Sequence, residues 1–243
     1  MLIVLAKQIL FFVFLVKPLL LHIDTAVDSA SVCLCHGGAI IGFEKEPAAN
    51  SASGFLHPAI QRICTTAHIQ LPALDAVAVS IGPGSYTGLR IGLAAAKGLC
   101  YALGKPLIAL PTLQMMAVAA REQIPNWPTD AALCPMIDAR RMEVFTALYD
   151  VSLNELKPAE ALVLTEHLFD QTLVQRPVFF FGNGSAKFQP IMPHPQAHFA
   201  FVTADARHLA PLATKAFAAQ KFASVAYSEP FYGKAFYSPP PKK

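Results

Sequence analysis

The feature that most constrains the fold is the glycine-rich segment GPGSYTGLRIG at residues 82–92. It follows the apolar run LDAVAVSI and leads into a mainly apolar stretch at residues 89–103. Glycine allows the tight turn that such a junction needs, and Ser85 or Thr87 can cap the helix that begins there. A buried strand joined by a tight loop to a long helix is typical of α/β folds, so we predict that class.

The same segment has a second interpretation as an anion site. Backbone N–H groups at the start of a helix can bind phosphate, which makes Gly84, Ser85 and Thr87 candidate nucleotide- or phosphate-binding residues. The segment is not a Walker A loop, because no Gly-Lys-Ser/Thr follows, and it is not GxGxxG, because Thr87 replaces the third glycine. From the residues alone, phosphate binding and a structural turn with a helix cap both stay open.

A second candidate lies at the tip of the first predicted strand, in LLLHIDT at residues 19–25. Asp24 and Thr25 are suited to metal or phosphate contacts, although both residue types are also common in turns. A third group, Asp138, Arg140, Arg141 and Glu143, has the composition of a charged catalytic cluster. We interpret it as a structural, salt-bridged turn between two strands.

The order of predicted elements indicates a mixed sheet covered by helices. Strands in SVCLC and HGGAIIGFE flank the turn signal Gly37-Gly38, so the chain opens with a three-stranded meander. Residues 54–68 and 89–103 carry apolar residues at helical spacing. Two strands in LCPMIDARRMEVFTALYD, a strand in PVFFFG and a helix at residues 206–219 repeat the plan more weakly, which indicates an internal duplication.

Composition excludes some classes of function. The chain has 243 residues, 54% of them hydrophobic and 14% charged, with a net charge of +3. Its basic residues are scattered, which argues against a free-standing nucleic-acid binder. The five cysteines form no CxxC pair, and we interpret Cys33 and Cys35, which share one strand face, as small core residues of a cytosolic protein.

The first seventeen residues contain the apolar run QILFFVFLV between Lys7 and Lys17. A helix that spans a bilayer needs about 20 apolar residues, so this run is too short. Signal-peptide cleavage after it would cut into the first strand. We interpret residues 1–17 as an extension of unknown role, with a partner-binding segment and an export signal as the alternatives.

Three motifs, HIDTAVDSASVCL, VSIGPGSYTGLRIGLAAAKGL and CPMIDARRMEVF, stand in the order and spacing of the TsaB (YeaZ) family, which the chain resembles from Pro18 to about Tyr237. The resemblance implies an actin-like ATPase (ASKHA) fold with two duplicated subdomains. It places the first at residues 18–110, completed by a C-terminal helix at 206–222, the second at 111–205, and a tail at 223–243. Met142 departs from the glycine usual in this family.

The resemblance also implies a function. It predicts a cytoplasmic, non-catalytic subunit required for the threonylcarbamoyladenosine (t6A) modification of tRNA. The subunit would bind and activate a TsaD-type transferase, in a complex with a TsaE-type ATPase, and would meet tRNA only through that complex. It implies no intrinsic cofactor and no membrane, with ATP or ADP at a shared interface, and a homodimer when the partner is absent.

Two apolar helix faces are the predicted partner surface. A helix-to-helix contact favours small residues and an apolar stripe. The alternative is that both stripes pack on the chain's own sheet. The predicted interface residues are Phe55, Leu56, Ala59, Ile60, Ile63, Gly88, Gly92, Ala95, Ala96 and Leu99.

Two other functions compete with the partner subunit. An actin-like small-molecule kinase or ATPase needs a second phosphate loop, for which the second half offers only Gly182-Asn183-Gly184. A peptidase needs a metal or a nucleophile triad. The HxxxH pair His194 and His198 lies in a proline-rich stretch with little tendency to form the helix that a metal site of this type requires, so we predict no metal site.

Overall fold

The computed structural model describes residues 17–46 and 52–233. The apolar run of the N-terminal extension and the end of the tail, from residue 234, lie outside the described residues. The expected α/β class is confirmed, because the chain forms two five-stranded mixed sheets with helices packed on them.

The first sheet has the order β3-β2-β1-β4-β5. The meander β1–β2–β3 is antiparallel, as predicted, and β4 and β5 continue the sheet parallel to β1. The strands are β1 Leu19–Asp24, β2 Ala30–His36, β3 Ala39–Glu46, β4 Ala76–Gly82 and β5 Leu107–Pro111.

The second sheet repeats this topology in the order β10-β9-β6-β7-β8, so that β6 corresponds to β1. Here too a meander of three antiparallel strands is followed by two parallel strands. The repeated topology agrees with the duplication indicated by the sequence. The strands are β6 Ala132–Asp138, β7 Glu143–Asp150, β8 Glu155–Val163, β9 Val178–Phe181 and β10 Ala197–Ala200.

Five α-helices lie in the described chain: α1 Ala52–Thr66, α2 Tyr86–Leu103, α3 Thr112–Gln123, α4 Asp170–Leu173 and α5 Ala210–Ala218. The expected terminal helix is therefore shorter than predicted, since Ala206–Leu209 form a 3-10 turn and α5 starts only at Ala210. Asp205 caps that turn by accepting the N–H of Arg207.

The helices cover the first sheet on both faces. Alternate residues of a strand point to opposite faces, so Leu21 and Ile23 of β1 pack under α1 and α2. Leu20, on the other face, packs with Met115 of α3 and Ala213 of α5. The C-terminal helix thus returns to the first sheet, and Ala223 forms an antiparallel bridge with Leu107 of β5.

Helix α3 joins the two halves. Its Met115 packs on the first sheet, whereas its Met116 and Ala120 pack on the second. The other face of the second sheet is closed by an aromatic cluster of Phe169, Phe180, Phe188 and Phe199, with ring centroids 5.1 to 6.1 Å apart. None of the helices in the described ranges is both long and apolar enough to span a bilayer.

Candidate functional site

Asp24 ends β1 in a buried position next to the glycine-rich loop. Its side chain is 1% exposed, and its Oδ1 accepts hydrogen bonds from the Ser80 hydroxyl at 2.5 Å and the Ala26 N–H at 3.1 Å. Burial, only partly opposed by these two bonds, raises the pKa of Asp24 to about 6. Asp24 is therefore held by the chain itself, in a setting that disfavours its charge.

Thr25 connects the strand tip directly to α2. Its hydroxyl donates to the carbonyl oxygen of Gly88 at 2.7 Å. A Cβ on Gly88 would overlap the Thr25 carbonyl oxygen, and a Cβ on Gly92 would overlap its hydroxyl. These glycines let α2 approach the end of β1 closely, so here they have a packing role.

The loop before α2 also bonds to the chain itself. Ser85 caps α2 by accepting the N–H of Gly88 at 3.2 Å, as predicted, and its own N–H donates to the Ala26 carbonyl at 2.7 Å. A Cβ on Gly84 would overlap that same carbonyl oxygen. Thr87 lies exposed in the first turn of α2. These contacts match the structural turn and cap.

The C-terminal segment covers the loop, which the sequence did not predict. The N–H of Phe231 donates to the carbonyl oxygen of Ile81 at 2.7 Å, and the Tyr232 ring lies 4.9 Å from the Tyr86 ring. Lys97 of α2 donates to the carbonyl oxygens of Ala226 and Ser228. The only signal in the sequence was the resemblance to the TsaB family, which continues to about Tyr237.

A bridge between the two halves was also missed. The side-chain amide of Asn183 donates to Asp28 at 2.7 Å, and its Oδ1 accepts the N–H of Asp138 at 2.8 Å. Gly182 and Gly184 approach the backbone of β6 so closely that a Cβ on either would clash. The glycine pair of the second half therefore serves packing and this bridge.

The charged turn after β6 is stabilised by hydrogen bonds from Lys187, a residue outside the turn. Partial burial would raise the pKa of Asp138, but hydrogen bonds from Lys187 at 3.0 Å and from the Arg140 N–H at 2.6 Å lower it overall. Lys187 also donates to the carbonyl oxygens of Arg141 and Glu143. The predicted structural turn is thus present, with Lys187 as a partner that the sequence did not reveal.

The residues chosen for the partner surface mostly face inward. α1 and α2 turn their most apolar faces to their own sheet or to the Thr25 turn, which supports the alternative that these stripes pack within the chain. Phe55 and Leu99 are half-buried, and the other eight are buried: Leu56, Ala59, Ile60, Ile63, Gly88, Gly92, Ala95 and Ala96.

A different stripe of α2 faces solvent. Ala94, Gly98 and Ala102 recur every four residues and are exposed, so they lie on one side of the helix. Tyr101 beside them is 86% exposed, and nothing lies within 4 Å of the position of a Cβ on Gly98. A second helix can approach this small-residue stripe closely.

His194 and His198 do not form a helical metal pair. His194 precedes β10 and accepts the N–H of Gln196, while His198 lies within β10 and stacks on Phe179 at 4.7 Å.

Comparison with known proteins identifies the family. The model of the TsaD family, tRNA N6-adenosine threonylcarbamoyltransferase, matches residues 42–230. The tRNA threonylcarbamoyladenosine biosynthesis protein TsaB of Bacillus subtilis is 27% identical over 192 residues, which cover 78% of this chain and 81% of that protein. TsaB of Escherichia coli K12 is 37% identical over 133 residues, 54% of each chain.

The fold is shared with a solved structure. A crystal structure from Pseudomonas aeruginosa, described as an uncharacterized protein with similarity to peptidase YEAZ, superposes with a TM-score of 0.79 and 26% identity. The match covers 89% of this chain and all of that one. Together with the repeated sheet topology, these similarities confirm the expected actin-like fold. The chain therefore belongs to the tRNA N6-adenosine threonylcarbamoyltransferase family, among its TsaB (YeaZ) members.

Proposed function

We propose that this chain is a non-catalytic partner subunit in the formation of threonylcarbamoyladenosine on tRNA, and that it binds and activates a TsaD-type transferase. The names of its TsaB relatives supply the pathway. The observation that supports the non-catalytic role is the glycine-rich loop, several of whose polar groups form hydrogen bonds within the chain.

A phosphate-binding loop presents backbone N–H groups to its ligand. Here the N–H of Ser85 donates to the Ala26 carbonyl oxygen. The N–H of Gly88 donates to the Ser85 hydroxyl, and the N–H of Leu89 donates to the Ser85 carbonyl oxygen. The Thr25 hydroxyl donates to the Gly88 carbonyl oxygen. This supports a subunit without a cofactor of its own, and we place ATP or ADP, where it takes part, at an interface shared with the partner.

The competing functions have less support. A kinase of this fold needs a second phosphate loop, but Gly182 and Gly184 pack on β6 and the side-chain amide of Asn183 donates to Asp28 across the halves. A peptidase would need an activated nucleophile, and the Ser85 hydroxyl instead accepts the N–H of Gly88 as a helix cap. The actin-like kinase is therefore not favoured.

The partner surface that we propose is the outward face of α1 and α2, with the stripe Ala94, Gly98 and Ala102 at its centre. Small residues let two helices approach closely, and exposed Tyr101 and half-buried Phe55 supply apolar area beside them. The same face would form a homodimer when the transferase is absent. A TsaE-type ATPase would join the complex, and tRNA would bind only through it.

We place the complex in the cytoplasm. All five cysteines are free thiols, which suits a reducing compartment.

The test is the molar mass of mixtures with the TsaD-type protein of the same organism, measured by size-exclusion chromatography with light scattering. The variant Ala94→Glu/Gly98→Glu places two charges on the exposed stripe. Ala218→Glu, at an exposed position of α5, is the matched control. We expect a heterodimer with the wild type and with the control, and its loss in the double variant.

Absence of a complex with the wild type, even with ATP and the TsaE-type protein added, would overturn the partner role. A complex that survives the double variant unchanged would overturn the proposed surface. In both cases circular dichroism must show that the variants are folded.

A further inference from the structure

Three side chains that commonly bind metals meet inside the first half, on the side of the sheet that packs against α5 and the 3-10 turn Ala206–Leu209. His22 of β1 lies directly opposite Cys33 of β2, and Cys35 follows two residues later on the same face. One donor atom from each lies within 4.8 Å of the other two, and all three residues are buried. Neither the loop nor the partner surface includes this cluster.

The imidazole of His22 is buried with little hydrogen bonding. Its residue is 0% exposed, neither Nδ1 nor Nε2 makes a hydrogen bond of ordinary geometry, and the Cys35 thiol is a polar group that interacts with the ring. A buried polar group without a partner costs free energy, so native structures rarely leave one in this state. The ring nevertheless lies beside two sulfurs, and this combination is what a metal ion requires.

The two thiols lie side by side, with their Sγ atoms 3.5 Å apart. Metal binding replaces the proton of a thiol, so both sulfurs can become ligands of one ion. The thiolate is the form of cysteine that binds metals.

We propose that His22, Cys33 and Cys35 bind one thiophilic d10 metal ion, with Cu⁺ as the best fit. Thiolates select Cu⁺ and Zn²⁺ among biological metals. Structural Zn²⁺ almost always takes four protein ligands, whereas this cluster offers three among the described residues, a number that suits trigonal Cu⁺.

The geometry needs little adjustment. Three donors at bonds of about 2.2 Å around one ion lie about 3.8 Å from each other. The observed sulfur-to-sulfur distance is 3.5 Å, and no donor pair exceeds 4.8 Å. Side-chain shifts of roughly 1 Å therefore complete the site, and each protonated thiol releases its proton when the ion binds.

The surroundings suit a structural ion. Cys33 and Cys35 pack under Ala206 and Ala210, with Phe43 at the edge. The guanidinium of Arg207 lies 4.2 Å from the centre of the Phe43 ring and pairs with the Asp205 carboxylate at 2.8 Å. The 3-10 turn Ala206–Leu209 and the start of α5 cover the cluster. The ion must therefore bind before this turn packs on the sheet.

The test uses the full chain, purified without oxygen, unfolded in urea with a chelator, and refolded after removal of both with one equivalent of Cu⁺ or Zn²⁺. Affinity is measured by competition with a chromophoric chelator, and the thiolate-to-Cu⁺ absorption band reports the ligands. The variants are Cys35→Ser, Cys33→Ser and His22→Ala. Cys100→Ser is the matched control, since its thiol is buried elsewhere and its hydroxyl can keep the bond to the Pro106 carbonyl oxygen.

We expect the wild type and the control to bind one Cu⁺ per chain and to gain about 5 to 10 °C in Tm. Each ligand variant should lose at least roughly 100-fold in affinity, as ligand-shell changes commonly do. Binding that is unchanged in both Cys33→Ser and Cys35→Ser would overturn the site. So would a wild type that binds neither ion, and tighter binding of Zn²⁺ would overturn the assignment to Cu⁺.

Discussion

The two halves of the molecule end their corresponding first strands on the same dipeptide, Ile-Asp, yet the two aspartates behave in opposite ways. Asp24 is buried beside Ser80, and burial raises its pKa to about 6. Asp138 is exposed and bonded to Lys187, and its pKa is lowered. Each half thus has an aspartate at the end of its first strand. The groups that pack around that strand end determine whether the charged or the protonated form of the aspartate is favoured.

The halves also differ in how they cover the sheet. The first carries two long helices, α1 and α2, which leave one side facing solvent. The corresponding region of the second contains only the four-residue α4, and the aromatic cluster around Phe188 closes the sheet instead. The first half is therefore covered by long helices with an exposed side, and the corresponding face of the second half by aromatic rings.

Phe188→Ala should have the largest effect and acts on the second half alone. Phe188 is fully buried and contacts three other rings, so its loss should cost about 4 kcal/mol in the free energy of unfolding. Urea unfolding followed by circular dichroism measures this value. Val174→Ala, at a residue 80% exposed, is the control and should change little.

One cooperative transition in Phe188→Ala would show that α3 couples the halves. Two separate transitions would show that the halves are independent, against the shared packing of α3.

Asp24→Asn tests the contrast between the raised pKa of Asp24 and the lowered pKa of Asp138. The folded pKa of about 6 lies above the usual 3.8, so the fold favours the protonated carboxyl. This contribution of the protonated carboxyl to stability is complete below about pH 4 and is lost as the pH rises through 6. Asparagine is neutral at every pH, so the variant has no such loss. Between pH 4 and 7.5, the wild type should lose about 3 kcal/mol relative to the variant.

Asp138→Asn should show the reverse trend and a smaller size, below about 1 kcal/mol, because Asp138 is exposed. Its contribution should be lost as the pH falls below about 4. Unfolding in urea from about pH 2 to about pH 7.5, with a chelator present, measures the effects of Asp24→Asn and Asp138→Asn. Parallel pH profiles for the two variants would remove the contrast between the strand tips.

Gly88→Ala tests the packing of α2 on Thr25. The added Cβ would overlap the Thr25 carbonyl oxygen, so we expect a loss of about 2 kcal/mol. Gly98→Ala on the same helix meets no atom and should gain up to about 1 kcal/mol from helix propensity. Equal effects of the two changes on the chemical denaturation midpoint would contradict the close approach.

The smallest effect concerns turns. Arg140 has φ 67°, in the left-handed region, whereas the β2–β3 hairpin of the first half uses Gly37 and Gly38 there. Arg140→Gly should therefore stabilise the protein by about 0.5 kcal/mol, and Gly38→Ala should cost about 1 kcal/mol. Thermal denaturation measures both, and a loss of stability in Arg140→Gly would show that its side chain matters more than its backbone.

The sequence predicted what depends on neighbouring residues. Periodicity located the meander, α1 and α2, and the capping preference located Ser85. It could not choose which side of an apolar helix faces the sheet, since α2 carries small residues both at Gly92 and Ala96 and at Ala94 and Gly98. Contacts between distant segments, such as that of Asn183 with Asp28, leave no local pattern.

The return of the C-terminal segment to the first sheet has a consequence for synthesis. Leu20 and Ile108 are covered only in part, by Met115 of α3, until Leu209 and Ala213 arrive, and Ala223 must still pair with Leu107. All strands of the second sheet, by contrast, are complete by Ala200. On the ribosome, where domains fold as their residues emerge, the second half can therefore finish folding while the half that begins the chain still waits for its last helix.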